Sequence, residues 1–330
     1  VVKHGLQVTI LGIAMSQPVA ALATHAPAGK SASQADKFQI WRNEAVRVLA
    51  ARSDANSVAT AAALSFTSSF AAPAAASTAL QLIARASDLA PDGAAIGWLH
   101  LQLCAIAPAC ASRDAATVLR WVDADNAAAW LPELSTAQKD KDTVEVERVL
   151  ADMARGTRFD LYYNQIMVMM FDALSRVRHE LPGGVVASDT ARLAALAGVA
   201  NAEIIPAFSS LIDACREAAP RSERRGDCIK LAKIMQRGDT VIVQMVGFGI
   251  ERRLIAADSK EAKSLAERKH LLEWRWSAAG KLASSILPWT QSARTRTRLA
   301  AMRTRPREED VCIALLREHN MALEPAESHR

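Results

Sequence analysis

Glu267 and His270 stand three residues apart, the Glu-x-x-His spacing that sets a carboxylate and an imidazole on one helix face in di-iron bundles. Such a centre needs a second pair and two further glutamates, and none follows, so this pair reads as a charged surface helix. Met167, Met169 and Met170 offer thioethers of the kind that suit Cu(I). Met167 and Met170, however, share a helix face with Ile166 and Leu174 and read as core. Gly247-Phe248-Gly249 lacks the strand, spacing and following helix that phosphate binding requires. His100, His179 and His319 have no sequence neighbours that give them a role. There is no G-x-S-x-G elbow, P-loop, H-E-x-x-H or Rossmann glycine motif. Glu327-Ser328, a pairing of the kind used by some glycan-cleaving enzymes with helical superhelices, falls in the tail. The chain therefore reads as a non-enzyme with no cofactor and no metal. Because a triad assembled from distant segments leaves no linear signature, an enzyme with an unrecognised site is kept as an alternative.

The five cysteines point to a compartment rather than to catalysis. Five residues separate Cys104 from Cys110, and twelve separate Cys215 from Cys228. In each pair the first closes a helix-like stretch and the second opens the next, with Pro108 and Pro220 in the gaps. Two local disulfides, each clipping a helical hairpin, fit an oxidising space. Cys312 is left over as a buried apolar residue. No C-x2-C occurs, which argues against a zinc ribbon. Residues 1–23 read as an export signal: Lys3 and His4, an apolar run from Leu6 to Met15, Pro18, then Ala21-Leu22-Ala23. A periplasmic or secreted protein is the expectation.

Charge is uneven. Residues 221–330 hold 22 Lys and Arg against 14 Asp and Glu, a net +8, whereas residues 1–220 hold 18 against 21, a net −3. The excess peaks at Arg294, Arg296, Arg298, Arg303, Arg305 and Arg307, with no acid among them. These arginines are candidates for gripping an anionic envelope polymer, a membrane surface or an acidic protein. Nucleic acid is not expected as a partner. Leu272, Trp274 and Trp276 with Arg275 could form an aromatic ledge, but a buried tryptophan beside a rim one is the simpler reading.

The elements that must position these groups are helical. Hydrophobic residues make up 50% of the 330 and aromatics only 5%, with alanine carrying much of the rest. Alanine is the best helix former, and Val/Ile alternation is absent. After a flexible start at 24–32, a leading helix is expected over about 33–51. Residues 55–86 carry no charge from Val58 to Ala84, but their small side chains and Pro73 predict two close-packed helices with a turn at Pro73, not a membrane span. Beyond Pro182-Gly183-Gly184 the rhythm changes. Helices are predicted over 188–200, 203–217, 226–237, 239–256 and 259–283, with shorter ones at 288–303 and 307–320. The apolar run to Ile250 is about half of what a transmembrane helix needs.

Trp98-Leu99, Trp130-Leu131 and Tyr162-Tyr163 recur 32 residues apart, each behind a turn: Pro91-Asp92, Asp125-Asn126 and Arg158-Phe159-Asp160. A unit of about 89–122 carries Trp98, Leu101 and Leu103, then Ala115, Val118, Leu119 and Val122. The next, about 123–155, takes Asp125 as its N-cap, then Trp130, Leu134 and Ala137, with Val144, Val146, Leu150 and Met153 in its second helix. A third opens near Thr157 with Phe159, Tyr162, Tyr163, Ile166 and Phe171. The period and the early tryptophan resemble a degenerate tetratricopeptide array, covering about 55–178. Trp98 and Leu101 match that family's first-helix positions; Trp130 matches too, but Glu133 stands where leucine is expected. The resemblance implies a curved stack of antiparallel helix pairs and carries over no binding residues. Trp98, Leu101, Trp130 and Tyr162 are expected to pack the repeat. The expected organisation is a signal peptide (1–23), a flexible start and leading helix (24–54), helical repeats (55–181) and a C-terminal helical domain (182–330). The expected fold is all-α, a tetratricopeptide-like solenoid followed by that helical domain. The expected role is protein–protein interaction, as an envelope adaptor or scaffold holding a protein or peptide.

Overall fold

The computed structural model describes residues 34–66, 73–107, 110–182, 188–216, 222–284 and 288–325. The export segment, the turn before Pro73, Pro108, Gly183-Gly184, Pro220 and Glu327-Ser328 lie outside the described residues.

Among the described residues the secondary structure is helical, with no strand. The helices are α1 (Gln34–Ala50), α2 (Ala55–Phe66), α3 (Pro73–Leu89), α4 (Ala94–Ile106), α5 (Ser112–Val122), α6 (Leu131–Lys139), α7 (Thr143–Arg155), α8 (Tyr163–Arg176), α9 (Asp189–Glu203), α10 (Ser209–Arg216), α11 (Ser222–Met235), α12 (Val241–Leu254), α13 (Lys260–Ser284), α14 (Pro288–Thr304) and α15 (Glu308–Glu318). No described helix is long and apolar enough to cross a membrane.

Alanine explains the tight start. In α2 every residue from Ser57 to Phe66 is buried, and α2 packs against α1, α3, α4, α8 and α9. Small side chains let several helices approach one axis at once. Two of the three hydroxyls that α2 buries are satisfied within the helix: Thr60 Oγ1 donates to Asn56 O and Ser65 Oγ to Ala62 O. Asp54 caps α2 by accepting from the Ser57 amide.

Successive helices pair from α1 to α5 and again as α6 with α7, and a 3-10 turn at Ala127–Trp130 packs between α5, α6 and α7. Contacts are not confined to chain neighbours. α8 returns to α1, α2 and α4; α11 packs on α7; α10 packs on α6; and α14 lies on α8 and α9. One apolar core therefore runs from Trp41 to Leu315, with a smaller cluster of Val241, Phe248, Leu265 and Leu272 between α12 and α13.

Two of the three turns that mark the sequence period meet each other. Asn126 and Arg158 form a parallel bridge; the Ala127 amide donates to Arg158 O (2.9 Å) and the Thr157 amide to Asp125 O (3.0 Å). Asn126 is wholly buried and uses both ends of its amide. Oδ1 accepts from the amides of Ala128 and Asp160, while Nδ2 donates to Asp160 O and to the Tyr162 hydroxyl. The cap of this turn is thus Asn126, not Asp125, whose side chain is exposed. Tyr162 sits in the left-handed region at φ 57°, and its hydroxyl donates to Asp123. Such a backbone is uncommon outside glycine and is held here by those bonds.

A buried carboxylate carries the linkage onward. Asp239 accepts from the amides of Leu161 (2.9 Å) and Tyr163 (3.3 Å), so it caps α8 from 76 residues away in sequence. The Glu308 amide donates to Asp239 O (2.7 Å), and the Glu308 carboxylate accepts from the Val241 amide (3.0 Å) at the start of α12. Asn164 Nδ2 closes the chain of contacts on Arg305 O and Pro306 O.

The sulfurs of Cys104 and Cys110 and those of Cys215 and Cys228 lie at disulfide distance, 1.99 and 2.10 Å. Two such pairs are compatible with an extracellular or periplasmic protein. Cys312 is free and buried, and burial pushes its thiol up to about 12. A thiol-alkylating reagent is therefore expected to label no cysteine of the native oxidised protein, and only Cys312 after denaturation without reductant. Three or more labelled cysteines by intact mass would contradict the two bridges.

Candidate functional site

Trp98 and Leu101 are fully buried in α4, and the Trp98 indole N–H donates to Ile204 O (3.1 Å), tying α4 to the turn after α9. Tyr162 is buried as described. Trp130 differs: it is only partly buried, and two guanidinium groups lie over its ring, Arg120 of α5 at 4.3 Å and Arg148 of α7 at 5.7 Å. Glu133 pairs with both, at 2.7 and 3.6 Å. The glutamate that departs from the tetratricopeptide pattern is thus the counter-charge to the two cations covering Trp130.

The outer surface of the same region is apolar. Trp121 is 78% exposed, with Val118, one turn earlier on α5, at 55% and Val144 of α7 at 79%. The Glu145–Arg148 hydrogen bond holds the Glu145 carboxylate below the usual range, with a smaller pull from Arg113 of α5. Periodicity assigned Val118 and Val144 to the inward faces; both turn outward. The buried face of α5 is Ala115, Ala116 and Leu119, and the residues one step further round, Val118 and Trp121, form a second apolar stripe. That signal is present in the sequence, since three large apolar residues with Arg120 among them cannot all share one 100° stripe.

The six arginines have different settings. Arg303 pairs with Asp172 (2.5 Å) and Arg307 with Asp310 (2.8 Å), while Arg294 donates to Leu282 O (2.7 Å). Arg296 and Arg305 are exposed. Arg294 and Arg298 line a cavity between α9, α13, α14 and α15. A larger, shallow depression beside α1 is lined by Ile40, Arg47 and Leu181.

The remaining candidates have structural settings. Glu267 and His270 are both exposed on α13. Met167 and Met170 are buried in the core. Gly247 faces α11, where a Cβ would come within 2.7 Å of Ala232 O, so it is a close-packing glycine. Leu272 is buried; Trp276 packs on the smaller cluster, and Arg275 pairs with Glu309 (2.8 Å). His100, Cys104 and Cys110 bring one imidazole nitrogen and two sulfurs within 4.8 Å of one another. Those sulfurs face each other at disulfide distance, and His100 Nδ1 lies 3.0 Å from Ser87 Oγ.

Burial pushes the carboxyls of Asp123, Asp239 and Glu308 up, against the pull of Arg158 on the first and of backbone amides on the other two. Each of the three holds a tyrosine hydroxyl or a backbone amide in place. The sequence matches no protein-family model, and comparison with curated proteins and with solved structures returns no match.

Proposed function

We propose that the protein is an exported helical-repeat scaffold that holds an apolar segment of a partner polypeptide against the outer faces of α5 and α7. In this reading α2–α3, α4–α5 and α6–α7 are tetratricopeptide-like pairs, and residues 1–23 direct export to the periplasm or beyond. The observation that carries it is Trp121. A tryptophan 78% exposed, one turn from Val118 at 55%, leaves a large apolar area in water. Tryptophan leads the residues that dominate protein interfaces, where a desolvated ring anchors a partner. The guanidinium-covered Trp130 and the Glu133 network stiffen the base from which α5 and α7 project. A second role, contact with an anionic envelope polymer, draws on the exposed Arg296 and Arg305.

Affinity capture from the native host, comparing the wild-type protein with Trp121→Ser, tests the reading. Trp121 makes no core contact, so the variant is expected to keep its fold and its stability to within about 0.5 kcal/mol. A stoichiometric partner should be held ~30-fold more weakly, the equivalent of about 2 kcal/mol at an interface anchor. Equal recovery by the two proteins would remove the α5–α7 face from the account. Charge reversal at Arg296 and Arg305 should leave this partner bound while releasing any anionic polymer.

A further inference from the structure

The cavity between α9, α13, α14 and α15 has a volume of about 140 Å³ and a lining both polar and apolar. Arg294 and Arg298 enter it from successive turns of α14, and His319 enters from the end of α15. The hydroxyls of Thr190 and Thr295 bond each other at 2.9 Å beside them. Leu193, Leu282 and Leu315 contribute hydrocarbon to the lining. No carboxylate lines the cavity among the described residues.

The polar lining is incompletely satisfied. Arg298 makes no hydrogen bond and no ion pair within 4 Å among the described residues, though it attracts the Glu308 carboxylate. His319 Nε2 is buried without a hydrogen-bond partner. Arg294 is oriented by its bond to Leu282 O. A buried imidazole nitrogen without a hydrogen-bond partner is costly, since buried polar groups are otherwise paired. An anionic oxygen offers an acceptor to His319 and to Arg298 together, and a guanidinium donates two parallel N–H bonds to a carboxylate.

We propose that this cavity binds a short-chain organic acid, its carboxylate on Arg298 and His319 and its hydrocarbon tail on Leu193, Leu282 and Leu315. Size and lining select the class. Cavities of roughly 150 Å³ hold a benzene-sized molecule, which corresponds to about six heavy atoms. An inorganic oxyanion would satisfy the arginines but leave the leucines uncovered; a neutral amide of the same shape would cover the leucines but not answer the charge. The site is separate from the α5–α7 face, and its ligand need not be connected with any polypeptide partner.

Calorimetry on the full chain with butyrate, butyramide and sulfate tests the assignment. Saturable binding of one butyrate per chain is expected. Butyramide, lacking the charge-assisted bonds, should bind ~10- to 100-fold more weakly, and sulfate should bind more weakly than butyrate. Arg298→Gln should weaken butyrate by a similar factor. Because Arg298 also faces buried Glu308, a second variant guards against loss of fold: Ala194 lines the cavity at an exposed position, so Ala194→Phe should block it without entering the core. Loss of butyrate binding in Ala194→Phe with an unchanged melting temperature supports the site. No saturable butyrate heat, equal binding of butyramide, sulfate binding as tight as butyrate, or undiminished binding in Ala194→Phe would each overturn it.

Discussion

Trp98→Ala is expected to lower the unfolding free energy by about 3–5 kcal/mol, the range for deleting a fully buried large aromatic. Trp98 is wholly inaccessible to solvent, and its indole N–H is the donor that holds Ile204 O, 106 residues away in sequence. The substitution therefore opens a cavity inside α4 and frees the turn after α9 together. Trp98→Phe separates the two effects: it keeps most of the apolar volume but leaves a buried carbonyl without a partner, a loss of roughly 1–3 kcal/mol. Urea denaturation checks both values. A loss below ~1 kcal/mol for the alanine variant would mean that α4 and α9 are not packed as described.

The second large effect is expected at Asp239. Asp239→Ala strips the amides of Leu161 and Tyr163 of their acceptor at the start of α8, and both sit in the interior. Two stranded donors at about 1–3 kcal/mol each give a loss of roughly 2–6 kcal/mol. The pH dependence adds a sign. Burial raises the Asp239 and Glu308 carboxyls, so between the ordinary carboxylate range and their raised values the folded chain holds more protons than the unfolded one. Stability from these two groups is then greatest at mildly acid pH and falls as pH rises through that window, with a limiting slope of about 1.4 kcal/mol per pH unit per proton. Glu308→Gln keeps an acceptor for the Val241 amide and removes one titrating group, so it should flatten the slope. Denaturation midpoints measured from pH 5 to 9 that rise with pH in the wild type, or an unchanged slope in Glu308→Gln, would contradict this arrangement.

Much of the helix pattern was legible in the sequence because it rests on local physics. Alanine content, the charge-free stretch from Val58, and turns at Pro91-Asp92 and Asp125-Asn126 fix where α2 to α7 lie within a few residues. The leading helix, expected over 33–51, is Gln34–Ala50, and α12 to α15 follow their apolar runs equally closely. What failed was the choice of face. Val118 and Val144 are apolar and roughly in phase, yet they point outward, because Ala115, Ala116 and Leu119 and then Val146 and Val149 already fill the inward stripes. Periodicity cannot say which of two apolar stripes a fold will cover.

Long-range satisfaction was not legible at all. Asp239 reads in sequence as the start of an apolar run, but its partners lie 76 and 78 residues earlier. Glu133 read as a departure from a repeat pattern until Arg120 and Arg148 were seen to converge on Trp130. The arginines at 294–307 looked like a single patch. Helical geometry distributes them, sending Arg294 and Arg298 inward to a cavity while Arg303 and Arg307 meet acids.

We propose that this protein meets its partner through the outer face at Trp121. The most direct measurement places a benzophenone amino acid at position 121 and, as a control, at exposed position 253 on α12, followed by irradiation in the native host and mass spectrometry. A single protein adduct from position 121, absent from position 253, is the expected result. No adduct from position 121, or the same adducts from both positions, would contradict the claim.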